Sequence, residues 1–379
     1  MAKRHEKDHP ISRHTPDRRI DAPELPYQPR DPKKSLKVRI GLIGCGGITQ
    51  THLTAYRSAG YRVTALCDVD EAAARRRQER FYPKADVYTK YRDLLKRDDV
   101  NVVDVATHPE PREKILADAL KAGKHVLSQK PFVLDLAVGQ KLVRSAKRRK
   151  LKLAVNQNGR WAPHFSYIRH AIAEGLLGEV MAVHLSVHWN HNWVKRTAFN
   201  DIRHVVLYDF GIHWFDILTC FMGERKPKKV YASFARSPSQ EADPPLLAQA
   251  TVEYDGAQAS VVFDADTRYG PQDRTYVAGS EGTIVSIGPN LDSQVVMLFT
   301  EQGQARPVLR GSWFPDGFHG TMGELLRAIG EDREPENGAA GNLDSLALCF
   351  AAIASAEAGK PVKPGSITKL PQPKGRSRK

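Results

Sequence analysis

The chain has 379 residues, of which 41% are apolar and 26% are charged, a balance typical of soluble globular proteins. Its length allows two domains, each with its own hydrophobic core. The apolar stretches are interrupted by charges or are too short to cross a bilayer, and the N-terminus lacks a secretory signal, so we expect no membrane partner. The four cysteines, Cys45, Cys67, Cys220 and Cys349, are scattered and form no C-x-x-C pair. We therefore expect neither a structural metal site nor a disulfide framework, and this cysteine usage is consistent with the reducing cytoplasm.

The formal net charge of +14 is concentrated at the two ends of the chain. Residues 1–37 hold ten Lys and Arg against six Asp and Glu, and residues 369–379 hold five basic residues and no acid. Both segments are rich in proline and polar residues, which predicts two disordered basic tails. They show neither the interleaved aromatic residues nor a recognition motif of a specific polyanion site, so we expect no specific nucleic-acid partner.

The first predicted element is a strand at 38–43, followed by a glycine-rich turn and a helix at 47–58. Backbone at such a turn can approach a pyrophosphate, and the helix N-terminus offers it N–H groups. A second strand at 62–67 ends at Asp68, whose carboxylate can bind ribose hydroxyls and repel a 2′-phosphate. The pattern predicts a dinucleotide site that favours NAD over NADP, although Thr49 replaces the third glycine of the usual motif. The turn residues expected to bind the cofactor are Gly44, Gly46, Gly47 and Ile48.

Apolar strands and helical patterns then alternate to residue 157, as a parallel sheet covered on both faces requires. Further strands are predicted at 85–88, 101–106, 125–128 and 152–156, and further helices at 70–80, 90–96, 111–122 and 134–149. Ligands bind such sheets beyond the carboxyl ends of the strands. Those ends carry Thr107, His108, Gln129 and Lys130, which we expect at the cofactor.

Beyond residue 157 the pattern changes to alternating apolar and polar residues, which indicates strands with one covered face. Strands are predicted at 180–190, 228–235, 247–254, 258–264, 274–278, 283–287, 294–299 and 306–309, forming a mostly antiparallel sheet. His184 and His188 lie in the first of these strands, and His191 directly follows it. Alternation puts His191 on the opposite face from the other two, so a polar sheet face is favoured over a metal site, and no metal is predicted.

The pattern of residues 208–216 predicts an amphipathic helix that contains candidate catalytic residues. Asp209, His213 and Asp216 lie at i, i+4 and i+7 beside an apolar stripe. A carboxylate one turn from an imidazole is expected to orient the ring and raise its pKa, which suits proton transfer near neutral pH. A buried structural hydrogen bond is the alternative interpretation.

Taken together, the motifs resemble the Gfo/Idh/MocA family of NAD(P)-dependent oxidoreductases over most of residues 38–365. The matching segments are Gly44-Cys45-Gly46-Gly47-Ile48, Cys67-Asp68-Val69-Asp70, Ala122-Gly123-Lys124-His125-Val126, Gln129-Lys130-Pro131, residues 158–163 (NGRWAP), Asp209 to His213 and Gly320-Thr321-Met322. The chain departs from the family at Gln129, which stands for the glutamate of Glu-Lys-Pro, and at residues 107–112 (THPEPR), which stand for Thr-Pro-Asn-x-x-His.

The resemblance implies an α/β fold, with an N-terminal Rossmann domain (doubly wound parallel sheet, 38–157) and a C-terminal α+β domain (158–368) whose open-faced, mostly antiparallel sheet serves oligomerisation, as a homodimer or homotetramer. It implies hydride transfer between NAD and a secondary alcohol of a sugar, inositol or related polyol. His213 would be the acid/base, oriented by Asp209, with Lys130 polarising the reacting oxygen or sharing the proton. Asn158 and Arg160 would bind substrate hydroxyls. Glycoside cleavage by transient oxidation, or a non-enzymatic NAD- or sugar-sensing regulator, are the alternatives.

Overall fold

The computed structural model of the chain describes residues 17–371 and contains two sheets. The first is a six-stranded parallel sheet in the order β3-β2-β1-β4-β5-β6, with helices on both faces. Its elements are β1 (Arg39–Ile43), α1 (Thr49–Ser58), β2 (Arg62–Cys67), α2 (Glu71–Phe81), β3 (Asp86–Tyr88), α3 (Tyr91–Leu95), β4 (Val102–Val105), α4 (Pro109–Lys121), β5 (His125–Ser128), α5 (Leu136–Arg148) and β6 (Leu153–Val155). The predicted Rossmann arrangement is confirmed.

The second sheet has eight strands in the order β14-β13-β12-β11-β7-β10-β9-β8, and only the β7–β10 pair is parallel. The strands are β7 (Val180–His188), β8 (Lys229–Ala235), β9 (Leu247–Tyr254), β10 (Ala257–Asp264), β11 (Gln272–Gly279), β12 (Gly282–Gly288), β13 (Val295–Thr300) and β14 (Gly303–Ala305). Helices α6 (Pro163–Ala173), α7 (Ile212–Met222) and α9 (Ala339–Ala358) accompany this sheet, and α9 packs on α7 and β8. The predicted mostly antiparallel sheet is confirmed, but the strand predicted at 306–309 is wrong, since the last strand ends at Ala305.

Helix α9 is long and apolar enough to span a membrane by length and composition, and it is the only such helix between residues 17 and 371. Its apolar side chains belong to a core that the second sheet shares with the first: Leu346, Leu348, Phe350 and Ile353 are fully buried. The high apolar content of α9 is therefore that of a helix packed on several sides.

Helix α8 (Asp316–Gly330) returns to the first sheet after the second sheet is complete. It packs against α1 and shares a core with Leu53 and Tyr56 through Phe318 and Met322. The region predicted as the second domain therefore supplies a helix to the first. Because α8 packs on the first sheet although it comes late in the chain, a single cut in the sequence does not separate the two domains. The boundary between residues 157 and 158 stays a prediction.

The predicted tails are wrong where the structure describes them. Residues 17–37 lie in contact with both domains: Ile20 N–H donates to Gln304 O (2.9 Å), and Asp31 accepts from the Tyr61 hydroxyl (2.8 Å). At the other end, Leu370 N–H donates to Leu134 O (2.9 Å). Backbone and side-chain hydrogen bonds of this kind order both segments in spite of their charge. The remaining predicted tail residues, 1–16 and 372–379, lie outside the described part.

Candidate active site

The glycine turn between β1 and α1 has the geometry of an anion-binding turn. Gly44 has φ +94°, and a Cβ there would lie 2.8 Å from the carbonyl carbon and oxygen of Ala106, so only glycine allows β1 to pass this close to β4. A Cβ on Gly46 or Gly47 would meet no atom within 4 Å. The turn therefore presents bare backbone to open space at the start of α1, which fits a pyrophosphate.

Thr49 and Arg77 hold the turn where the usual third glycine is missing. The Thr49 hydroxyl donates to Gly46 O (2.6 Å), and the Arg77 guanidinium donates to the same oxygen (2.9 Å) and to Thr49 Oγ1 (3.2 Å). Sequence reasoning noted Thr49 only as a departure from the motif and did not predict that Arg77 contacts the turn. The pairing between α2 and the turn has no local sequence signal.

Asp68 lies at the end of β2, directly beside the glycine turn. Its two carboxylate oxygens accept from the backbone N–H groups of Cys45 (2.6 Å) and Asp70 (2.9 Å). Both bonds use backbone donors, which leaves further lone pairs on each oxygen for ribose hydroxyls. These contacts fix the carboxylate next to the turn, as the predicted cofactor site requires.

Lys130 follows β5 and meets the second domain. Its ammonium donates to Asp209 O (2.8 Å) and to Asp209 Oδ2 (3.0 Å), and both side chains are largely buried. Asp209 lies in a single π-helical turn, Val206–Phe210, that immediately precedes α7. Gly211 closes this turn, and a Cβ there would lie 2.6 Å from Val206 O, so the turn requires glycine. The structure brings together Lys130 and Asp209 from opposite domains.

His213 lies one turn beyond Asp209 and is half-buried. Its Nδ1 is buried and has no hydrogen-bond partner among residues 17–371, and its ring packs edge-on against Trp313, with 5.3 Å between centroids. Burial, with a smaller contribution from the charge of Lys130, lowers the pKa of His213 well below its usual range. The expectation that Asp209 orients this ring and raises its pKa is therefore wrong, since the Asp209 carboxylate contacts Lys130 instead.

Asn158 and Arg160, predicted to bind substrate, are buried in internal contacts. The Arg160 guanidinium forms a two-point ion pair with Asp216 at 2.6 and 2.7 Å and also donates to Glu336 O (2.5 Å). Asn158 Oδ1 accepts from the Trp313 indole (2.7 Å). Arg160 is thus a structural residue, and Asn158 acts on the site through Trp313, which packs on His213. Sequence reasoning did not find Trp313.

The predicted cofactor residues at the ends of β4 and β5 differ in exposure. Thr107 and His108 are accessible at the start of α4, whereas Gln129 is buried. Gln129 Oε1 accepts from Lys130 N–H (2.7 Å), and its Nε2 lies 3.1 Å from His52 Nε2. Gln129 therefore supports the Lys130 backbone from inside the protein, and it does not present its side chain to a ligand.

Two loops of the second domain meet above the site. His191 N–H donates to Ala265 O (2.8 Å), and Thr267 N–H donates to Trp189 O (3.0 Å). The His191 ring packs on Phe210, next to Asp209, at 4.9 Å between centroids, and burial lowers the pKa of His191 to about 4. These two loops, residues 190–204 and 264–273, thus place the His191 ring against Phe210, the neighbour of Asp209 in the chain.

The two histidines of β7 that share a face are both hydrogen-bonded to neighbouring strand residues. His184 Nδ1 lies 2.7 Å from Ser260 Oγ, and His188 Nδ1 lies 2.8 Å from Asp264 Oδ2. Between residues 17 and 371, no group of three His, Cys, Asp or Glu side chains is arranged to hold a metal ion.

Both halves of the chain match models of one family. Residues 38–157 match the NAD-binding Rossmann-fold domain of the GFO/IDH/MocA oxidoreductases, and residues 165–285 match a GFO/IDH/MocA C-terminal domain. A D-apiose dehydrogenase of Paraburkholderia graminis is 26% identical over 86% of this chain and 89% of its own length. An inositol 2-dehydrogenase of Rhizobium meliloti is 26% identical over 84% of this chain and 97% of its own length.

Solved structures show the same fold. An oxidoreductase from Agrobacterium radiobacter, crystallised with NAD⁺, L-tartaric acid and magnesium, superposes with a TM-score of 0.77 at 21% identity and covers 87% of this chain and 99% of its own. A putative myo-inositol dehydrogenase from Sinorhizobium meliloti superposes with a TM-score of 0.72 at 24% identity over 86% and 99%.

Proposed function

The chain belongs to the GFO/IDH/MocA family of NAD-binding oxidoreductases, and on that premise we propose that it transfers hydride between NAD and a secondary alcohol of a sugar, inositol or related polyol. The observation that carries the proposal is the Lys130–Asp209 contact across the two domains, with His213 one turn away. It lies beyond the carboxyl ends of β4 and β5, where ligands of open parallel sheets bind. Relatives that act on apiose and inositol support the substrate class.

The residues that would hold the cofactor are those of the glycine turn, Asp68, and the turns at Thr107 and Lys130. When bound, NAD supplies the hydride acceptor. The bare backbone at Gly46 and Gly47 fits the pyrophosphate, and the fixed Asp68 carboxylate fits the adenosine ribose. Because that carboxylate would repel a 2′-phosphate, we propose NAD over NADP. Titration with NADH and NADPH, followed by nucleotide fluorescence, tests this preference, and equal affinities would contradict it.

His213 is the group we propose as proton acceptor for the substrate hydroxyl. Its depressed pKa keeps the imidazole neutral at pH 7, so it is able to take a proton. Because Nδ1 is buried, Nε2 is the nitrogen available to a ligand between the two domains, in the region beyond β4 and β5 that we call the cleft. The Lys130 ammonium, held by Asp209, would donate a hydrogen bond to the same oxygen and stabilise the negative charge that develops there. The alternative is that Lys130 takes this proton, for which it would have to be in its neutral amine form.

The experiment that tests the function is NAD⁺ reduction, measured as NADH absorbance, against a panel of sugars, inositols and sugar acids. The wild type is compared with Lys130→Ala and His213→Ala. We expect turnover with at least one panel member, and a loss of about 10²- to 10⁴-fold in kcat in both variants, while NADH affinity measured by fluorescence changes little. An equal loss of kcat and cofactor affinity in His213→Ala would contradict its role as acid/base.

NADH binding without turnover of any free sugar would contradict net dehydrogenation. Cleavage of a glycoside panel under the same conditions would then assign transient oxidation, in which the hydride returns to the substrate and NADH does not accumulate. If glycosides also fail, a sensing function replaces the enzymatic one. The oligomeric state and the cytoplasmic location stay predictions.

A further inference from the structure

Arg112, on the first turns of α4, is among the largest fully buried side chains in the described part of the protein. Its guanidinium donates to three backbone carbonyl oxygens. Nε donates to Thr107 O (3.1 Å) and Nη1 to Gln129 O (2.6 Å); Nη1 also contacts Pro131 O, and Nη2 also contacts Thr107 O. Within residues 17–371 no carboxylate lies within ion-pair distance of it. Arg112 is thus a buried cation held by peptide oxygens.

The three carbonyls that Arg112 binds belong to the two turns that carry the candidate active site. Thr107 O lies in the turn after β4, and the carbonyls of Gln129 and Pro131 lie on either side of Lys130. One planar guanidinium therefore joins the Thr107 turn to the carbonyls of the two residues that flank Lys130. A guanidinium presents its N–H groups in a fixed planar fork, which an ammonium or an imidazole cannot reproduce.

Burying this cation without a carboxylate is costly, which argues for a role beyond packing. The desolvation of the guanidinium lowers the pKa of Arg112 to about 10. An apolar side chain at a buried position avoids such a cost. Yet Ile115 and Leu116, on the same helix, show that α4 packs apolar side chains at its other buried positions. Arg112 also occupies the position of the histidine in the family motif Thr-Pro-Asn-x-x-His. The hydrogen bonds of its guanidinium to three carbonyls are therefore made by a residue at which this chain departs from the motif.

A second set of hydrogen bonds, made by Gln129 and His52, holds the turn at Lys130. Gln129 Oε1 accepts from Lys130 N–H (2.7 Å), and Gln129 Nε2 lies 3.1 Å from His52 Nε2. His52 in turn is hydrogen-bonded through Nδ1 to Asp104 (2.7 Å), in the interior of the sheet. The backbone N–H of Lys130 is therefore fixed through the sheet interior, and the carbonyls on both sides of Lys130 are fixed through Arg112.

We propose that Arg112 is a positioning residue for Lys130. It fixes the carbonyls of the two residues that flank Lys130 relative to the Thr107 turn, so that the Lys130 ammonium reaches Asp209 and the cleft in one defined place. The proposal rests on the proposed function in one respect, namely that Lys130 acts in the reaction. Positioning matters because a displacement of about 1 Å at a reacting group can reduce a rate about 100-fold.

The test compares Arg112→Gln and Arg112→Lys with Leu116→Ala, a matched control that is fully buried one turn away on the same helix. Leu116→Ala creates a cavity and destabilises the domain but removes no hydrogen bond to either turn. At 25 °C, below the Tm of each variant, we expect kcat on the substrate found in the panel to fall about 100-fold in Arg112→Gln. Arg112→Lys is expected to lie between Arg112→Gln and the wild type. Leu116→Ala is expected to keep the wild-type kcat despite its lowered Tm.

Amide hydrogen exchange of peptides that cover residues 126–133 gives a readout that needs no substrate. We expect the Lys130 amide to exchange at least about tenfold faster in both Arg112 variants than in Leu116→Ala, because the turn opens when its carbonyls lose their donor. Unchanged exchange or unchanged kcat in a folded Arg112 variant would overturn the proposal, as would an equal loss in Leu116→Ala. If the wild type turns over no panel member, the proposed function fails, and hydrogen exchange still decides whether Arg112 holds the turn.

Discussion

Two ion pairs involve aspartates of the segment from Val206 to Met222, and they differ in burial and in hydrogen bonding. The cleft pair, Lys130–Asp209, joins the two domains and is partly open to the cleft. The core pair, Arg160–Asp216, lies within the second domain and is almost fully buried. The two acids are only seven residues apart, and in the sequence both are aspartates on an amphipathic helix. Their difference comes from their partners.

The core pair is saturated with hydrogen bonds. Both Asp216 oxygens accept from Arg160, and Oδ1 also accepts from the Ser345 hydroxyl at 3.0 Å. The cleft pair has capacity left, since the Lys130 ammonium carries three donors and uses two of them on Asp209, as far as the described residues show. A saturated pair stabilises one structure, whereas an unsaturated charged group at a cleft is able to bind a substrate oxygen. This difference separates the structural pair from the candidate catalytic one.

The largest expected effect on stability comes from breaking the core pair. Arg160→Ala leaves the Asp216 carboxylate buried without its cation, and we expect a loss of about 3–5 kcal/mol in the free energy of unfolding. Urea unfolding followed by circular dichroism measures it. The comparison variant is Lys130→Ala, which should cost less than Arg160→Ala, because the Asp209 carboxylate is less completely buried than that of Asp216 and keeps more contact with water. Equal losses in the two variants would remove the distinction between the pairs.

The pH dependence of stability tests the surroundings of the cleft pair. Burial lowers the pKa of His213 well below the unfolded value of about 6.5, and it lowers the pKa of His164 to about 3. Below pH 6.5 the unfolded chain binds protons that the folded chain does not, so stability falls as pH falls. Each such histidine contributes about 1.4 kcal/mol per pH unit until its folded pKa is reached.

Thermal unfolding of the wild type and of His213→Gln at pH 7.5 and pH 5.5 measures the contribution of His213. The variant should lose less stability than the wild type between these two pH values. His164→Gln is the positive control: burial alone lowers the pKa of His164, so this variant should also lose less stability than the wild type between the two pH values. An identical pH dependence in the wild type and His213→Gln would show that His213 has an ordinary pKa.

Much of the fold could be predicted because each signal is local. The first strand, the glycine turn, the first helix and the second strand, which Asp68 follows, were predicted from residues 38–68 alone, and the structure confirms them. The strand predicted at 306–309 failed for a nonlocal reason: β14 is three residues long and lies beside the N-terminal segment, where Ile20 N–H donates to Gln304 O. No pattern within 306–309 could show which distant segment completes that edge.

The sequence indicated which residues of the candidate site lie close together, but it did not indicate which of them contact each other. Lys130, Asp209 and His213 come together, but the expected contact between Asp209 and His213 assumed 3.6 residues per turn throughout. A π-helical turn at Val206–Phe210 has a wider repeat, so the i, i+4 relation does not hold there. Arg160 and Asp216 are 56 positions apart in the chain, and Arg112 binds backbone carbonyls, which carry no residue signature. Long-range partners of this kind come only from the structure.

The smallest expected effect comes from removing the charge of the cleft pair while keeping its shape. Asp209→Asn retains the backbone oxygen, which accepts from Lys130 at 2.8 Å, and keeps a side-chain oxygen in place of Oδ2. Only the charge is lost, so we expect kcat to fall about tenfold, which corresponds to about 1.4 kcal/mol. The control is Asp216→Asn, where the same change weakens the saturated core pair: stability should fall and the kcat of the folded enzyme should stay at the wild-type value. A loss of kcat in Asp216→Asn as large as in Asp209→Asn would show that the two pairs act as one electrostatic unit.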